Sequence, residues 1–201
     1  MQRTRFLMIR HAQSEGNVAS IAESIGDSPL TDVGRSQAAR IAQWVVSNAP
    51  GAAALYASPQ GRAWRTAEVV GRRLALDVRS VPDFRECEIG EWEGLKINEI
   101  NFALLRNDPD YTLHGGESPR EFSRRTASAI RRIVTGHAGR TVVAVSHAGV
   151  IAGGLAMLLG TRPLFGNRFN LGNAGVAEVF FDPVARVGRV LRTIDPQESS
   201  R

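Results

Sequence analysis

The stretch Arg140–Ser146, RTVVAVS, constrains the fold more than any other part of the chain. It is apolar at successive positions rather than at every second one. A strand of that kind is buried on both faces, which is the condition of a parallel sheet covered by helices on each side. Phe6-Leu7-Met8-Ile9, within Thr4–Arg10, has the same character. Both runs stop on polar chemistry: Arg10-His11 in one case, Ser146-His147 in the other.

The segments between and around them alternate in period. Ser28-Pro29-Leu30-Thr31-Asp32 opens a helix with Thr31 as N-cap, and Ala38, Ile41, Ala42 and Val45 recur at helical spacing behind it. Ala53–Ala57 is a short apolar strand broken by Ser58-Pro59, and Ala63, Ala67, Val70 and Leu74 mark the next amphipathic helix. Val78–Val81 is a weak strand, Asp83–Gly94 an acidic loop, Ile97–Leu105 a short helix and Pro109–Ser118 a further loop. Pro119 stands where a first helical turn tolerates it. Phe122, Ala129, Ile130 and Ile133 form the apolar face behind it, and Arg124, Arg125, Arg131 and Arg132 read as a solvated face. An apolar helix runs from His147 to Gly160, and Gly175–Phe181 and Arg189–Ile194 are strands in a hairpin-like pair around Asp182-Pro183 and Gly188.

Alternation of this kind predicts an α/β domain in three layers: a mostly parallel central sheet, helices on both faces, and antiparallel edge strands near the C-terminus. The 201 residues fit one domain, with a polar, frayed tail after about residue 195. No internal repeat or low-complexity tract is visible.

Composition narrows the function. The net charge is +5, but Lys96 is the only lysine and no run of five like charges occurs, so the excess reads as a bias toward arginine, not a nucleic-acid surface. Cys87 stands alone, which excludes an intrachain disulfide and a cysteine-based zinc cluster. The apolar run behind the basic start is four residues long, too short for a signal-peptide core, and Val150–Leu159 is too short to span a bilayer. The expectation is a soluble cytoplasmic protein without membrane or nucleic-acid partners. Its oligomeric state is open, a homodimer included.

In open α/β sheets, ligands bind beyond the carboxyl ends of the strands. His11 and His147 lie at two such ends, and ALYAS leads into a segment that soon supplies Arg62. Arg10, His11, Arg62 and His147 therefore have the means to meet above one sheet edge. Two guanidinium forks and two imidazoles make an anion site, since arginine matches phosphate oxygens two at a time. A helix start after His147 adds backbone amides. The alternative for each histidine taken singly is a polar residue where the chain surfaces.

FLMIRHAQSEGN resembles the Arg-His-Gly signature of the histidine phosphatase superfamily, the phosphoglycerate mutase-like enzymes. SPLTDVGRSQA, ASPQGRAWRTA, FRECEIGEWEG, GGES at 115–118 and VSHAGV at 145–150 resemble further family segments in family order. Together they span residues 6 to 150, about three quarters of the chain. The resemblance implies that His11 is the nucleophile and forms a phosphohistidine. It implies that Arg10, Arg62 and His147, with the Asn17 amide and the helix start at Ala148, hold the phosphoryl group, and that Glu86 is general acid and base. It implies a small phosphorylated substrate, no metal and no cofactor. The chemistry agrees: a neutral imidazole has a lone pair for phosphorus, and a carboxyl beside phosphate charge holds a proton that a departing alkoxide needs.

The residues alone do not choose Glu86 over Glu88, Glu91 and Glu93 in the same loop; the family pattern does. Trp92 reads as packing, and Cys87 lacks the Cys-x5-Arg spacing of thiol phosphatases and reads as a bystander. His114 and His137 read as surface positions, with His114 retaining a route into the pocket beside Gly115-Gly116. Three positions depart from the pattern. Ala12 replaces the usual glycine, Gly16 stands where mutase-type members carry a large residue, and Arg65 stands where glutamine is frequent. Arg65 either extends the positive pocket toward a second anionic group or pairs with a surface carboxylate. The leading expectation is a metal-independent phosphomonoesterase. A cofactor-dependent phosphoglycerate mutase is the alternative within the fold, weakened by the chain's short length. A non-catalytic phosphate-binding module needs neither the nucleophile nor Glu86, and a metal hydrolase lacks His-x3-His spacing.

Overall fold

A computed structural model describes residues 3–112, 114–160, 171–182 and 187–194. The strands are β1 (Thr4–Arg10), β2 (Ala54–Ala57), β3 (Val78–Ser80), β4 (Thr141–Ser146), β5 (Val176–Asp182) and β6 (Val187–Ile194), in the sheet order β3-β2-β4-β1-β5-β6. β1, β2, β3 and β4 run parallel, while β5 pairs antiparallel with β1 and with β6. The expected sheet is present, antiparallel edge included. The tail after Asp195 lies outside the described residues.

The continuous apolar runs divide their side chains between two cores. Phe6 and Met8 of β1, with Val142 and Ala144 of β4, pack against Phe122, Ile130 and Ile151. The last three belong to α5 (Pro119–Gly136) and α6 (Ala148–Leu158). Leu7 and Ile9, with Val143 and Val145, face the opposite way onto Ile41, Val45, Ala63, Ala67 and Val70. Those residues lie on α2 (Asp32–Asn48) and α3 (Gly61–Leu74). Successive strand side chains point to opposite faces, so a strand with a helix layer on each side has no position left for a polar residue. Each large side chain buried here contributes about 1.5–3 kcal/mol relative to exposure.

Helix starts follow their caps. Thr31 Oγ1 accepts from the Gly34 amide at 2.9 Å, and Ser118 with Glu121 closes a capping box around Pro119. A shorter helix, α1 (Glu15–Ala19), is capped by Ser14, whose amide donates to Asn17 Oδ1 at 3.1 Å. The expected helix over Ile97–Leu105 is instead two pieces, a 3₁₀ turn at Ile97–Glu99 and α4 (Ala103–Asn107). Five residues bury too little surface to hold a longer helix here: Leu105 is the one buried side chain in α4.

The parallel pairing of β1 with β4 sets Arg10 opposite Ser146. His11 and His147 therefore leave neighbouring strands at the same height, and β2, on the other side of β4, ends beside them at Ala57. The topology brings the three polar strand ends to one edge.

Candidate active site

His11 is 4% exposed, and its amide continues the ladder by donating to the Ser146 carbonyl at 2.8 Å. Its ring Nδ1 lies 2.8 Å from the Ala12 carbonyl. A carbonyl only accepts, so Nδ1 carries the hydrogen and the lone pair is on Nε2. Burial, with Arg62 and then Arg10 adding to it, pushes this imidazole down to about 3. It is therefore neutral, and nucleophilic, at neutral pH.

Arg62, in the first turn of α3, is 3% exposed. Its Nη1 donates to the Gly26 carbonyl at 2.7 Å and its Nη2 to the Glu23 carbonyl at 3.0 Å, which fixes the guanidinium and leaves one hydrogen on each terminal nitrogen. Arg10 Nη1 donates to the Leu171 carbonyl at 2.7 Å. Burial lowers the Arg10 guanidinium from its ordinary value, partly countered by Glu86.

The ring of His147 stands 5.2 Å from that of His11, edge toward face, with Nε2 2.9 Å from Ser58 Oγ. Burial, then Arg62 and His11, hold it well below the usual imidazole range. Among the described residues, two buried side-chain polar atoms have no hydrogen-bond partner, Arg10 Nε and His147 Nδ1, and both are here. Buried polar atoms are almost always paired, so orphans gathered in one place mark a site.

Glu86 comes from the loop after β3. Its backbone amide donates to Gln60 Oε1 at 2.8 Å, and its carboxylate accepts from the amides of Cys87 at 3.0 Å and Gly149 at 3.1 Å. Arg10, His11, Asn17, Arg62, Glu86 and Ala148 border one cleft of about 420 Å³, a size suited to a small ligand. Asn17 Oδ1 accepts from Ser14 and from Asn173 Nδ2 at 2.9 Å, so its own amide nitrogen remains a donor. Ile21, Ile97 and Phe102 line the same cleft with apolar surface, and Arg106 lines it with a cation.

Two candidate positions lie elsewhere. Arg65 is exposed and does not border the cleft: it lies about 4.5 Å further along α3 and about 60° round from Arg62, on the solvent side of that buried face. His114 is also exposed; its carbonyl, not its ring, meets the acid-bearing loop, accepting from the Glu91 amide at 3.2 Å. That close approach explains Gly90, which has φ 53°: a Cβ there would lie 2.2 Å from the His114 carbonyl oxygen.

The rival carboxylates are engaged otherwise. Glu93 accepts from the Ser24 hydroxyl at 2.5 Å and from the Ser24 and Gly26 amides at 2.7 and 2.8 Å. Burial works to raise its carboxyl, and these bonds outweigh it and hold the group below its ordinary range. Glu88 pairs with Arg85 at 3.5 Å, and Glu91 is exposed. Cys87 is 1% exposed, and burial raises its thiol, so it is inert as a nucleophile. Trp92 packs edge-on against Phe102, with ring centroids 6.0 Å apart.

One surface assignment is corrected. Arg125 is not on a solvated face. It forms an ion pair with Glu117 and donates to the carbonyls of Asp83, Arg85 and Glu86 at 2.8, 3.0 and 3.0 Å, with its guanidinium over the Phe122 ring. It clamps the loop that carries Glu86. The pattern of four arginines gave no signal for this: Arg132, two turns on, also meets the loop through Asp83 Oδ2 at 2.7 Å but stays exposed, and among the described residues Arg125 is the one of the four that donates to the loop's carbonyls. Glu23, Gln60 and Asn173 also escaped notice: each acts through partners distant in sequence, as when Asn173 Nδ2 bridges the His11 carbonyl and Asn17.

A parallel-sheet edge carrying two imidazoles, two arginines and a carboxylate has the composition of an anion site. The chain belongs to the histidine phosphatase superfamily, branch 1, whose family model matches residues 6–192. It is similar to the bifunctional protein Rv2228c of Mycobacterium tuberculosis, 34% identical over 198 residues, which cover 94% of this chain and 54% of that protein. The chain thus spans about half the length of that relative. The glucosyl-3-phosphoglycerate phosphatase of Mycolicibacterium vanbaalenii is 34% identical over 173 residues, covering 80% of this chain and 76% of that protein. A solved structure of a mycobacterial glucosyl-3-phosphoglycerate phosphatase with VO3 has a TM-score of 0.82 at 29% identity, covering 92% of this chain and 96% of that one.

Proposed function

We propose that the protein is a phosphomonoesterase that works through a phosphohistidine on His11. One observation carries the reading: a neutral imidazole, its Nδ1 hydrogen tied to the Ala12 carbonyl and its Nε2 lone pair free, borders a cleft that the guanidinium groups of Arg10 and Arg62 also border. A residue that only bound phosphate would be better charged.

In the first step Nε2 attacks phosphorus in line and the bond to the ester oxygen breaks. The protonated Glu86 carboxyl gives its hydrogen to the departing alkoxide. Arg10 and Arg62, with the Asn17 amide and the amides at the start of α6, receive the three equatorial oxygens, whose charge they spread. His147 backs the imidazole of His11 from 5.2 Å. In the second step Glu86, now a carboxylate, takes a proton from water as that water attacks phosphorus, and the N–P bond breaks to return neutral His11 and inorganic phosphate. The apolar side of the cleft receives the leaving group.

Phosphatase names among the relatives support hydrolysis over the mutase alternative, and make a phosphorylated glycerate derivative the first substrate to assay. The reaction is tested by rapid quench with phosphate-labelled substrate in the presence of a chelator. Acid-labile, base-stable label on the wild-type chain, absent from His11→Ala together with turnover, is the expected result. Substantial turnover by His11→Ala would remove the covalent step, and loss of wild-type turnover with the chelator would reinstate a metal.

A further inference from the structure

The cleft holds a second carboxylate that the mechanism does not use. Glu23 borders it, with a side chain 18% exposed, and its Oε2 is 3.9 Å from Arg62 Nη1. The carboxylate is not loose. Ser28 Oγ donates to it at 2.8 Å, and the Ser28 hydroxyl is itself fixed by the Gly16 amide at 2.9 Å. Gly16 also leaves the space it occupies: a Cβ at position 16 would lie 2.2 Å from Glu23 Oε2. The main chain of the same residue takes a hydrogen bond from Arg62. Glu23 thus supplies both an anchor for the phosphate-facing guanidinium and a fixed negative charge next to it.

We infer that Glu23 is a product-release residue: its carboxylate opposes the anion held by Arg62 and keeps the phosphoryl pocket from retaining inorganic phosphate. Two arginines and buried amides attract a phosphate dianion whether it is esterified or free, so a pocket built only of those groups would bind its product well. A phosphoryl oxygen bonded to Arg62 sits about 2.9 Å from the nitrogen, which sets the phosphorus roughly 7 Å from the Glu23 carboxylate. Even at the dielectric of bulk water, a dianion and a carboxylate at that distance repel by an amount worth roughly a tenfold change in binding, which is the least effect expected in this partly buried site. The same charge disfavours a second anionic group beside the phosphoryl site, so the residue suits release rather than retention of a bisphosphorylated intermediate. This deepens the phosphatase reading and rests on it for its purpose, while the electrostatic claim itself concerns binding alone.

The test is titration of inorganic phosphate by calorimetry into the full chain and into Glu23→Gln, Glu23→Ala and Glu23→Asp. Glu23→Gln keeps the size and an acceptor for Ser28 but removes the charge. Its phosphate dissociation constant is expected to fall about tenfold or more, and that of Glu23→Ala to fall likewise. Glu23→Asp, which retains the charge, is expected to remain within about threefold of the parent. In steady state, product inhibition by phosphate rises in step with affinity while thermal unfolding stays where it was. Unchanged affinity in both neutral variants would overturn the inference. Weakened affinity would also overturn it, and would make the carboxylate an organiser of Arg62. Tighter phosphate binding by a chain that hydrolyses no phosphomonoester would instead sink the phosphatase reading and leave the electrostatic role standing.

Discussion

A single methyl group at position 149 tests the proposed proton-donor role of Glu86 apart from the rest of the site. Gly149 is the second residue of α6, and its amide donates to Glu86 Oε2 at 3.1 Å. A Cβ placed there falls 2.2 Å from Glu86 Oε1 and 2.9 Å from Cδ. Ordinary contact lies at about 3.4 Å or beyond, so the carboxylate must move by roughly 1 Å. The carboxylate is the far end of a flexible side chain, and the movement costs the fold little. Gly→Ala within a helix by itself favours folding by about 0.5–1 kcal/mol. Gly149→Ala is therefore expected to unfold at the parent's temperature or above it while losing acid catalysis. Displacing a general acid by this much costs on the order of 10²-fold in rate, about 2.7 kcal/mol, within the range such groups contribute. The loss is expected for an alkyl phosphate, whose alkoxide needs the proton, and is expected to be several-fold smaller for nitrophenyl phosphate, whose phenolate leaves unaided. Single-turnover release of the two alcohols, measured beside thermal unfolding, distinguishes these outcomes. Equal losses on both esters would show that Gly149 matters to phosphoryl binding rather than to Glu86. Full activity on the alkyl ester would show that the carboxylate contact is not used in catalysis.

Burial of His11 has a consequence for acid stability. An unfolded chain takes up a proton on this imidazole near pH 6.5, whereas the folded chain resists until about 3. The contribution to stability is complete above roughly pH 6.5 and is lost as pH falls, by about 1.4 kcal/mol per pH unit inside that window. Denaturant midpoints between pH 6 and 4 should fall more steeply for the parent than for His11→Gln; parallel slopes would mean that His11 is charged in the folded state. Arg125→Ala is expected to lower turnover of alkyl phosphates at least tenfold and to lower the unfolding midpoint, because it removes the donor to three loop carbonyls and leaves Glu117 without its ion pair, with the Glu88 amide as its remaining donor. Arg131→Ala, on the exposed side of the same helix, is expected to change neither by more than twofold, and equal behaviour of the two variants would remove the clamp.

What could be read in the sequence was whatever a residue states about itself or its near neighbours. β1 is bounded as expected, Thr4–Arg10, because four consecutive apolar residues end on a charge. The helix starts at Thr31 and Ser118 are local hydrogen-bond patterns of three or four residues. Arg10, His11, Arg62 and Glu86 were legible through spaced motifs, and they do border one cleft. Local reasoning failed where a side chain's role is set by another element. Ile97–Leu105 has the composition of a helix, yet docks as a turn and a separate five-residue helix.

Arg125 and Glu23 show why such roles are invisible along the chain. Arg124 and Arg125 are identical in type and adjacent in sequence, and what separates them is the loop 39 to 42 residues away that covers one of them. A guanidinium that satisfies three carbonyls at once makes that loop a fixed platform, and the loop delivers Glu86 to the cleft. Glu23 belongs to a loop with no recognisable period, and its carboxylate is significant only because Arg62, 39 positions later, donates to its carbonyl and lies beside its side chain. In both cases the motif residue is visible and its regulator is not. The family signature records where phosphoryl chemistry occurs. How tightly the carboxyl is aimed, and how long the phosphate stays, depend on contacts that only the assembled fold creates.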